Sequence, residues 1–532
     1  MVASGNPIAT QAGLEVLERG GNAVDAAVAV GLTLGVVDGH NSGIGGGCVM
    51  LVRQANGRLF AVDGRETAPL AARKDMYIRN GRADPNWSQV GALASATPGA
   101  LLTYNYAEAR FGKLPIRENL LRAANLADTG FVLDSAYAQR LAEAAPQLAL
   151  FTDSRAIFLH PDGSPLRAGE VLRQPQLART YRGIAKDGIS FFYTGPFSAT
   201  TAQWMLSHNG VLNGADFAFY KVNLREPVPS TYRGREIVGF PPPSSGGVGV
   251  AEILNIVENF DLKRMGPNSA DMIHVVSEAM KLAFADRAYW LGDSDFTKVP
   301  RTLASKIYAA QLARRILMDR TTPVLQHGVP PAALQDFFGG PLHHTTHFST
   351  ADAAGNWVAC TATLNTSFGS KVVIPGTGVL MNNEMDDFSI QPGVPNYFGL
   401  LGGDANAVAP GKRPLTSMSP TLAMINNRPV LAVGAAGGPT IISQVVLVII
   451  NMVDFGMDIE AALTQPRFHQ QWQPDELRVE SGISETVLQE LEKRGHRVSR
   501  VQAIGATQAV GVTPEGFVGV SETRGYGQAA GW

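Results

Sequence analysis

Residues 341–365 read PLHHTTHFSTADAAGNWVACTATLN, and the rest of the 532-residue chain is organised around them. The Thr-Thr pair at 345 and 346 follows a polar run and opens a strand-like segment reaching to 352. A hairpin-like turn at Ala353, Ala354, Gly355 and Asn356 leads into a second apolar run, 357–364. Thr345 therefore stands at the start of a β-hairpin. A β-branched residue opening a strand is ordinary. If the bond between His344 and Thr345 is cut, however, one residue carries both a hydroxyl and a free α-amine. Such an amine titrates near pH ~8, so at neutral pH a fraction is unprotonated and can take the proton of the weakly nucleophilic hydroxyl. The β-methyl restricts χ1 and with it the direction of the oxygen. On these residues alone both readings stand.

Composition narrows the classes. Apolar residues make up 45% and charged residues 17%, which fits a globular chain with a sizeable core. Forty-four Lys plus Arg against 46 Asp plus Glu give a formal charge of -2, and no basic block marks a nucleic-acid partner. Cys48 and Cys360 lie far apart and offer neither a disulfide framework nor zinc spacing; Cys360, in an apolar run, reads as a buried inert thiol. His343, His344 and His347 lack a carboxylate or cysteine partner at ligand spacing, so no metal and no cofactor is expected. The longest apolar stretch, 445–453, is interrupted by Asn451 and is too short to span a bilayer. No signal peptide is visible before the helix-like stretch at the start.

Along the chain, apolar spacing predicts a helix over 8–19, ended by Gly20 and Gly21, and Asn22 with Asp25 forms a capping-box-like start to a second, small-residue-rich helix. The glycine run 43–47 is not a dinucleotide loop, because a helix precedes it and a strand, 49–53, follows. A strand over 59–63 ends at Gly64, Arg65 and Glu66. Arg65 can reach into a pocket with its planar fork or make a surface ion pair with Glu66. The stretch 97–317 reads as mainly helical, with helices over 248–259 and 270–291; Asp286, Arg287 and Tyr289 in the latter read as a solvated or salt-bridged face. Residues 320–341 are loop-like. After Thr345 strands become frequent (421–426, 429–434, 507–513, 516–521), with helices at 440–453 and 485–494. Strand pairs followed by helices in both halves predict an α/β (α+β) fold of sheets covered by helices, with no linker splitting the chain.

Ten motifs in order carry a resemblance: GGNAVDAAVAV (20–30), DGRETAP (63–69), REPVPSTYRG (225–234), PPPSSGG (241–247), LAFADRAYWLGD (282–293), the stretch from Thr345, MNNEMDDFS (381–389), GGDANAV (402–408), KRPLTSMSPT (412–421) and GAAGGPTIIS (434–443). The chain resembles the γ-glutamyltranspeptidases, members of the N-terminal nucleophile hydrolase superfamily. The resemblance implies a four-layer αββα sandwich. It also implies a precursor that cuts itself before Thr345 into a large subunit, 1–344, and a small one, 345–532, which stay together as a heterodimer forming one domain.

The implied substrate is glutathione or another γ-glutamyl compound, whose acyl group passes to water or to an amino acid or dipeptide. By resemblance Thr345 is the nucleophile, oriented by Thr363, and the N–H groups at Gly437 and Gly438 hold the oxyanion. Arg65 binds the α-carboxylate, helped by Thr416 and Ser417, where many relatives have two serines. Asp387 binds the α-ammonium, supported by Glu384 (Gln in some relatives) and Asn365. From the residues alone, Asp386 and Asp387 could be a structural turn and Gly437 and Gly438 a plain glycine turn. Residues 396–399 (NYFG) resemble a lid loop that has Tyr where this chain has Phe398. Cys48 stands where relatives carry a fourth glycine, a change expected to touch packing rather than chemistry. Because the family is usually exported, a periplasmic or secreted protein is expected if a leader was trimmed, and a cytoplasmic one otherwise. Two other readings remain: an amidase for other acyl groups, such as a glutaryl cephalosporin acylase, and a non-catalytic ligand-binding relative.

Overall fold

The computed structural model describes residues 1–331, the backbone of 337–338, and residues 345–522 and 524–532. Two antiparallel sheets lie face to face between layers of helices. In the first sheet the strands run in the order Gln528–Ala530, Val2–Ser4, Thr346–Ala351, Trp357–Thr363, Gly47–Arg53, Leu59–Gly64 and Asn223–Arg225. In the second the order is Gly516–Ser521, Ala506–Thr513, Arg428–Ala436, Thr421–Ile425, Arg235–Gly239 and Val228–Tyr232.

The central strands Thr346–Ala351, Trp357–Thr363 and Gly47–Arg53 are buried without interruption because each is covered on both faces. In Gly47–Arg53 the side chains of Cys48, Met50 and Val52 pack against the helices, while Val49 and Leu51 enter the layer between the sheets. Trp357–Thr363 divides likewise, with Val358, Cys360 and Ala362 under the helices and Trp357 and Ala359 between the sheets. From the second sheet Leu422, Met424, Ala432 and Val510 meet them, and Leu431, Val433 and Ala509 face the outer helices. The period-2 geometry of a strand thus builds three core layers from two sheets. Both cysteines are free and buried, and their neighbouring strands bring the two thiols together.

Helix Pro7–Glu18 starts where Asn6 accepts from the Ile8 N–H, with Pro7 in its first turn. Helix Ala23–Val37 starts on the predicted capping box of Asn22 and Asp25 and is buried throughout. These two, with Ala100–Phe111, cover the first sheet; Gly246–Val257 and Thr440–Val453 cover the second, and Ala270–Trp290 lies beyond them. The sandwich is therefore αββα, as expected.

Five strands of these two sheets were not legible in the sequence: Val2–Ser4, Gln528–Ala530, Asn223–Arg225, Val228–Tyr232 and Arg235–Gly239. Three-residue strands show no usable alternation, and Pro229 argues against a strand. It is tolerated because Val228–Tyr232 is an edge strand of the second sheet. The solvated face expected on the long helix is also corrected: Asp286 and Arg287 are buried, and Tyr289 alone of the three is exposed.

Strand directions decide the position of the site. Thr346, Gly47 and Gln528 begin their strands, and Thr363, Gly64 and Ser4 end theirs, all at one end of the first sheet. At the same end of the second sheet Ala436 closes one strand, beside Ala506, and Thr421 opens another opposite Gly239. Segments more than 300 residues apart in sequence thus leave their strands together.

Candidate active site

Thr345 immediately precedes Thr346, which pairs with Ala362. Continued by one residue, this antiparallel register sets Thr345 opposite Thr363. Thr363 is buried, and its Oγ1 accepts the Asn365 N–H at 2.7 Å. Thr363 also pairs with Gly47, and a Cβ on Gly46 would lie 1.8 Å from the Thr363 carbonyl oxygen. The glycine run is thus a close-approach wedge behind the Thr363 strand end rather than a phosphate loop.

Arg65 follows the strand Leu59–Gly64 and is fully buried, which overturns the surface ion-pair reading. Its Nη2 donates to Asp387 Oδ2 at 3.0 Å, and its Nη1 to Glu384 Oε2 and, at 3.4 Å, to Glu66 Oε2. The Nε donates to the Pro414 carbonyl at 3.3 Å. Three buried carboxyl groups therefore share one guanidinium. Burial pushes Glu66 up to about 8 and Asp387 up to about 6, against the opposing charge of Arg65. Glu384 is raised well above the carboxylate range for the same reason. Glu66 Oε1, Glu384 Oε1 and Asn365 Oδ1 are buried without a hydrogen bond among the described residues. Leaving such acceptors unmatched costs about 1–3 kcal/mol each, so the cluster is built to receive donors.

Asn365 adopts a positive φ of 78°, a conformation asparagine tolerates, and its Nδ2 donates to the Asn383 carbonyl at 2.9 Å. The neighbouring aspartates have separate tasks. Asp386 accepts from Ser88 Oγ at 2.6 Å and from the Tyr397 N–H at 2.9 Å, while Asp387 faces Arg65. The turn reading holds for the first and not for the second.

Thr416 and Ser417 are both fully buried. The turn at 241–247 fastens them, since the Thr416 N–H donates to the Pro243 carbonyl at 3.1 Å and the Ser245 N–H to the Thr416 carbonyl at 2.8 Å. Arg287, which sequence reading set aside, donates to Ser245 Oγ at 2.9 Å and Ser417 Oγ at 3.4 Å. Burial lowers it to about 10, opposed by the charge of Asp387. The missed signal was the position of Arg287 within one of the quoted motifs.

Gly437 and Gly438 have φ of 131° and 59° and precede helix Thr440–Val453, so their amides lie ahead of its first turn. The Phe398 ring lies against Gly438, where a Cβ would lie 2.7 Å from Phe398 Cδ1. Asn396 ties this loop down by donating from Nδ2 to Asp387 Oδ1 at 3.2 Å and accepting the Phe398 N–H at 3.1 Å. The ring packs against Gly438 without the tyrosine hydroxyl. His347 lies between the sheets, its ring nitrogens 2.9 Å from Thr361 Oγ1 and 3.0 Å from Ser349 Oγ, and burial lowers it to about 3. His343 and His344 lie outside the described residues. No group of three His, Cys, Asp or Glu suited to a metal occurs among the described residues, and no described helix is long and apolar enough to cross a membrane.

Comparison with known proteins shows the family. A family model described as gamma-glutamyltranspeptidase matches residues 9–532. The chain is 43% identical to a protein named glutathione hydrolase proenzyme from Escherichia coli (strain K12), over 98% of this chain and 90% of that one. It is 38% identical to a protein named acylase ACY 1 proenzyme from Pseudomonas sp. (strain V22), over 97% and 90%. Among solved structures, a cephalosporin acylase from Bacillus halodurans superposes with a TM-score of 0.88 at 30% identity, covering 100% of this chain and 95% of that one. The Helicobacter pylori gamma-glutamyltranspeptidase superposes with a TM-score of 0.60 at 36% identity, over 61% of this chain and 94% of that one. Motif order, site geometry and a family match spanning almost every residue agree, and the chain belongs to the γ-glutamyltranspeptidase family of enzymes.

Proposed function

We propose that the chain is a self-cleaving precursor of a γ-glutamyltransferase and glutathione hydrolase. In maturation Thr345 Oγ attacks the His344 carbonyl carbon, the C–N bond to Thr345 breaks, and water hydrolyses the resulting ester. This leaves a carboxylate on His344 and a free amine on Thr345, giving subunits 1–344 and 345–532. In turnover the Thr345 amine takes the hydroxyl proton while Oγ attacks the γ-amide. The N–H groups at Gly437 and Gly438 stabilise the oxyanion, a contribution of about 3 kcal/mol when one donor is lost. The leaving amine takes a proton, and water or a second amine then releases the γ-glutamyl group.

The observation that carries this reading is the crowding of three buried carboxyl groups around Arg65. Burial raises all three carboxyls against the charge of Arg65, so the cluster favours a ligand that brings a further positive charge. A γ-glutamyl group brings the missing ammonium together with a carboxylate for Arg65, Thr416 and Ser417. The unmatched oxygens of Glu384 and Asn365 supply acceptors for that ammonium. A glutaryl group has no ammonium, which is the reason to prefer γ-glutamyl substrates over the acylase reading.

Two measurements test it. Denaturing electrophoresis with N-terminal sequencing should show two fragments, the smaller starting at Thr345, and Thr345→Ala should remain one chain with activity reduced by about 10⁴-fold or more. A Thr345→Ala protein that still splits refutes the nucleophile. A γ-glutamyl anilide should be cleaved faster than its glutaryl counterpart, and the reverse order assigns the acylase activity.

A further inference from the structure

The two glycines that lead into helix Thr440–Val453 are held from two sides. On the helix side, Thr440 Oγ1 donates to the Gly437 carbonyl at 2.8 Å, and Ser443 in the next turn is fully buried. On the other side the Phe398 ring rests on Gly438. The loop that carries this ring is closed by its own bonds. The Asn396 N–H donates to the Leu400 carbonyl at 3.1 Å, and the Gly399 N–H to the Asn396 carbonyl at 2.9 Å. One flank of the loop is tied to Asp386 and Asp387, through the Tyr397 N–H and Asn396 Nδ2. The other flank meets Gln471, a buried residue just past the strand Phe468–His469.

Gln471 Nε2 donates to the Phe398 carbonyl at 3.2 Å and to the Gln473 carbonyl at 3.3 Å. Its amide nitrogen therefore faces two acceptors, which turns Oε1 the other way, onto His469 Nε2 at 3.0 Å. An amide oxygen can only accept, so His469 Nε2 carries the ring proton. Burial lowers this histidine to about 4, so the ring is neutral and its Nδ1 is an acceptor. Nδ1 lies 2.9 Å from Ser443 Oγ, whose hydroxyl donates to it; the same oxygen is 2.8 Å from the Thr440 carbonyl. Each donor in the series Ser443, His469, Gln471 thus points toward Phe398. Turning the Gln471 amide over would set its oxygen against two carbonyls. The series starts on the helix that follows the glycines and ends on the loop that packs against them.

We propose that Gln471 is a positioning residue that seats the Phe398 ring on Gly438, and that Ser443 and His469 hold its amide in the one orientation that can do so. The inference rests on the functional reading above in one respect, the assignment of the Gly438 N–H to the oxyanion. A ring held against Gly438 keeps water from the amide that must receive the developing charge, and such a donor is worth most where water is excluded. Gln471 acts through Phe398 rather than on the substrate. A carboxylate in its place would keep the shape and still accept from His469, but would set an oxygen against the Phe398 carbonyl. Protonated, the same carboxyl would donate there again.

The test uses the matured full chain and hydrolysis of a γ-glutamyl anilide. Gln471→Glu and Gln471→Met should each lower kcat about tenfold at about pH 8, with KM little changed and both fragments present. As pH falls, the ratio of Gln471→Glu to parent should climb back toward one, while that of Gln471→Met stays flat, because only a carboxyl can regain the donor. The charged and titratable groups around this position, His469, Arg478 on the paired strand and Asp386 beside the loop, are common to both variants and cancel in the comparison. In a Phe398→Ala background Gln471→Met should cost nothing further. Losses that multiply, or a parent-like kcat in Gln471→Met, overturn the positioning role. Hydrogen exchange reads the anchor without any donor: the Gly399 and Leu400 amides should exchange about tenfold faster in Gln471→Met, and unchanged exchange overturns it. Absence of γ-glutamyl turnover in the parent chain overturns the functional reading beneath, and the exchange result then decides the anchor by itself.

Discussion

The two flanks of Thr345 are built on opposite principles. On one side Arg65, Glu66, Glu384 and Asp387 are all buried, and charge is concentrated where water cannot screen it. On the other, a 380 Å³ cavity beside Thr346 carries an exposed arginine, Arg140, and a buried hydroxyl and an amide oxygen, of Tyr137 and Gln508, without partners among the described residues. A dry, crowded charge cluster discriminates strongly, because a ligand lacking one counter-charge leaves a buried ion unmatched at a cost of several kcal/mol. A wet pocket with one exchangeable arginine discriminates weakly, because solvent substitutes for most of what a ligand offers. Acyl selection should therefore be strict.

The sharpest way to break this contrast is Asp387→Asn. The change should lower kcat/KM for a γ-glutamyl anilide by about 10²-fold and narrow its advantage over the glutaryl anilide. Equal effects on the two anilides would mean that the crowded flank does not set acyl selection.

A smaller effect comes from pH. Asp387 must be ionised to hold an ammonium, and its carboxyl is pushed up to about 6 by burial. In the free enzyme kcat/KM for the γ-glutamyl donor should fall as pH drops through 6, approaching tenfold per unit. The glutaryl donor should lack this limb, since an uncharged Asp387 suits it as well or better. Parallel profiles for the two donors would remove Asp387 from acyl recognition.

The smallest effect is expected from Phe398→Tyr. The ring already covers Gly438, and one added hydroxyl is worth about 0.5–1.5 kcal/mol when it finds a partner. Hydrolysis should shift by less than about tenfold, with acyl preference and acceptor KM both unaltered. A change in acyl preference would place the lid inside the crowded flank rather than above it.

Local sequence reading succeeded wherever one segment carries its own period or punctuation. The hairpin around Gly355, the capping box at Asn22 and Asp25, and helix Thr440–Val453 all stand as read. It failed for Val2–Ser4 and Gln528–Ala530, because a three-residue strand exists only through the partner it pairs with. It also failed for Asp286 and Arg287: charge on a helix reads as exposed unless something outside the helix buries it.

The same division holds at the site. The sequence by itself determined the residue types and the order of the motifs, because these are properties of chain position. Tertiary structure alone decided that Arg65 would meet Glu384 and Asp387 across more than 300 residues, and that a cavity would open on the far flank. Strand direction and register bring those chain ends together, and no local pattern encodes which strands become neighbours.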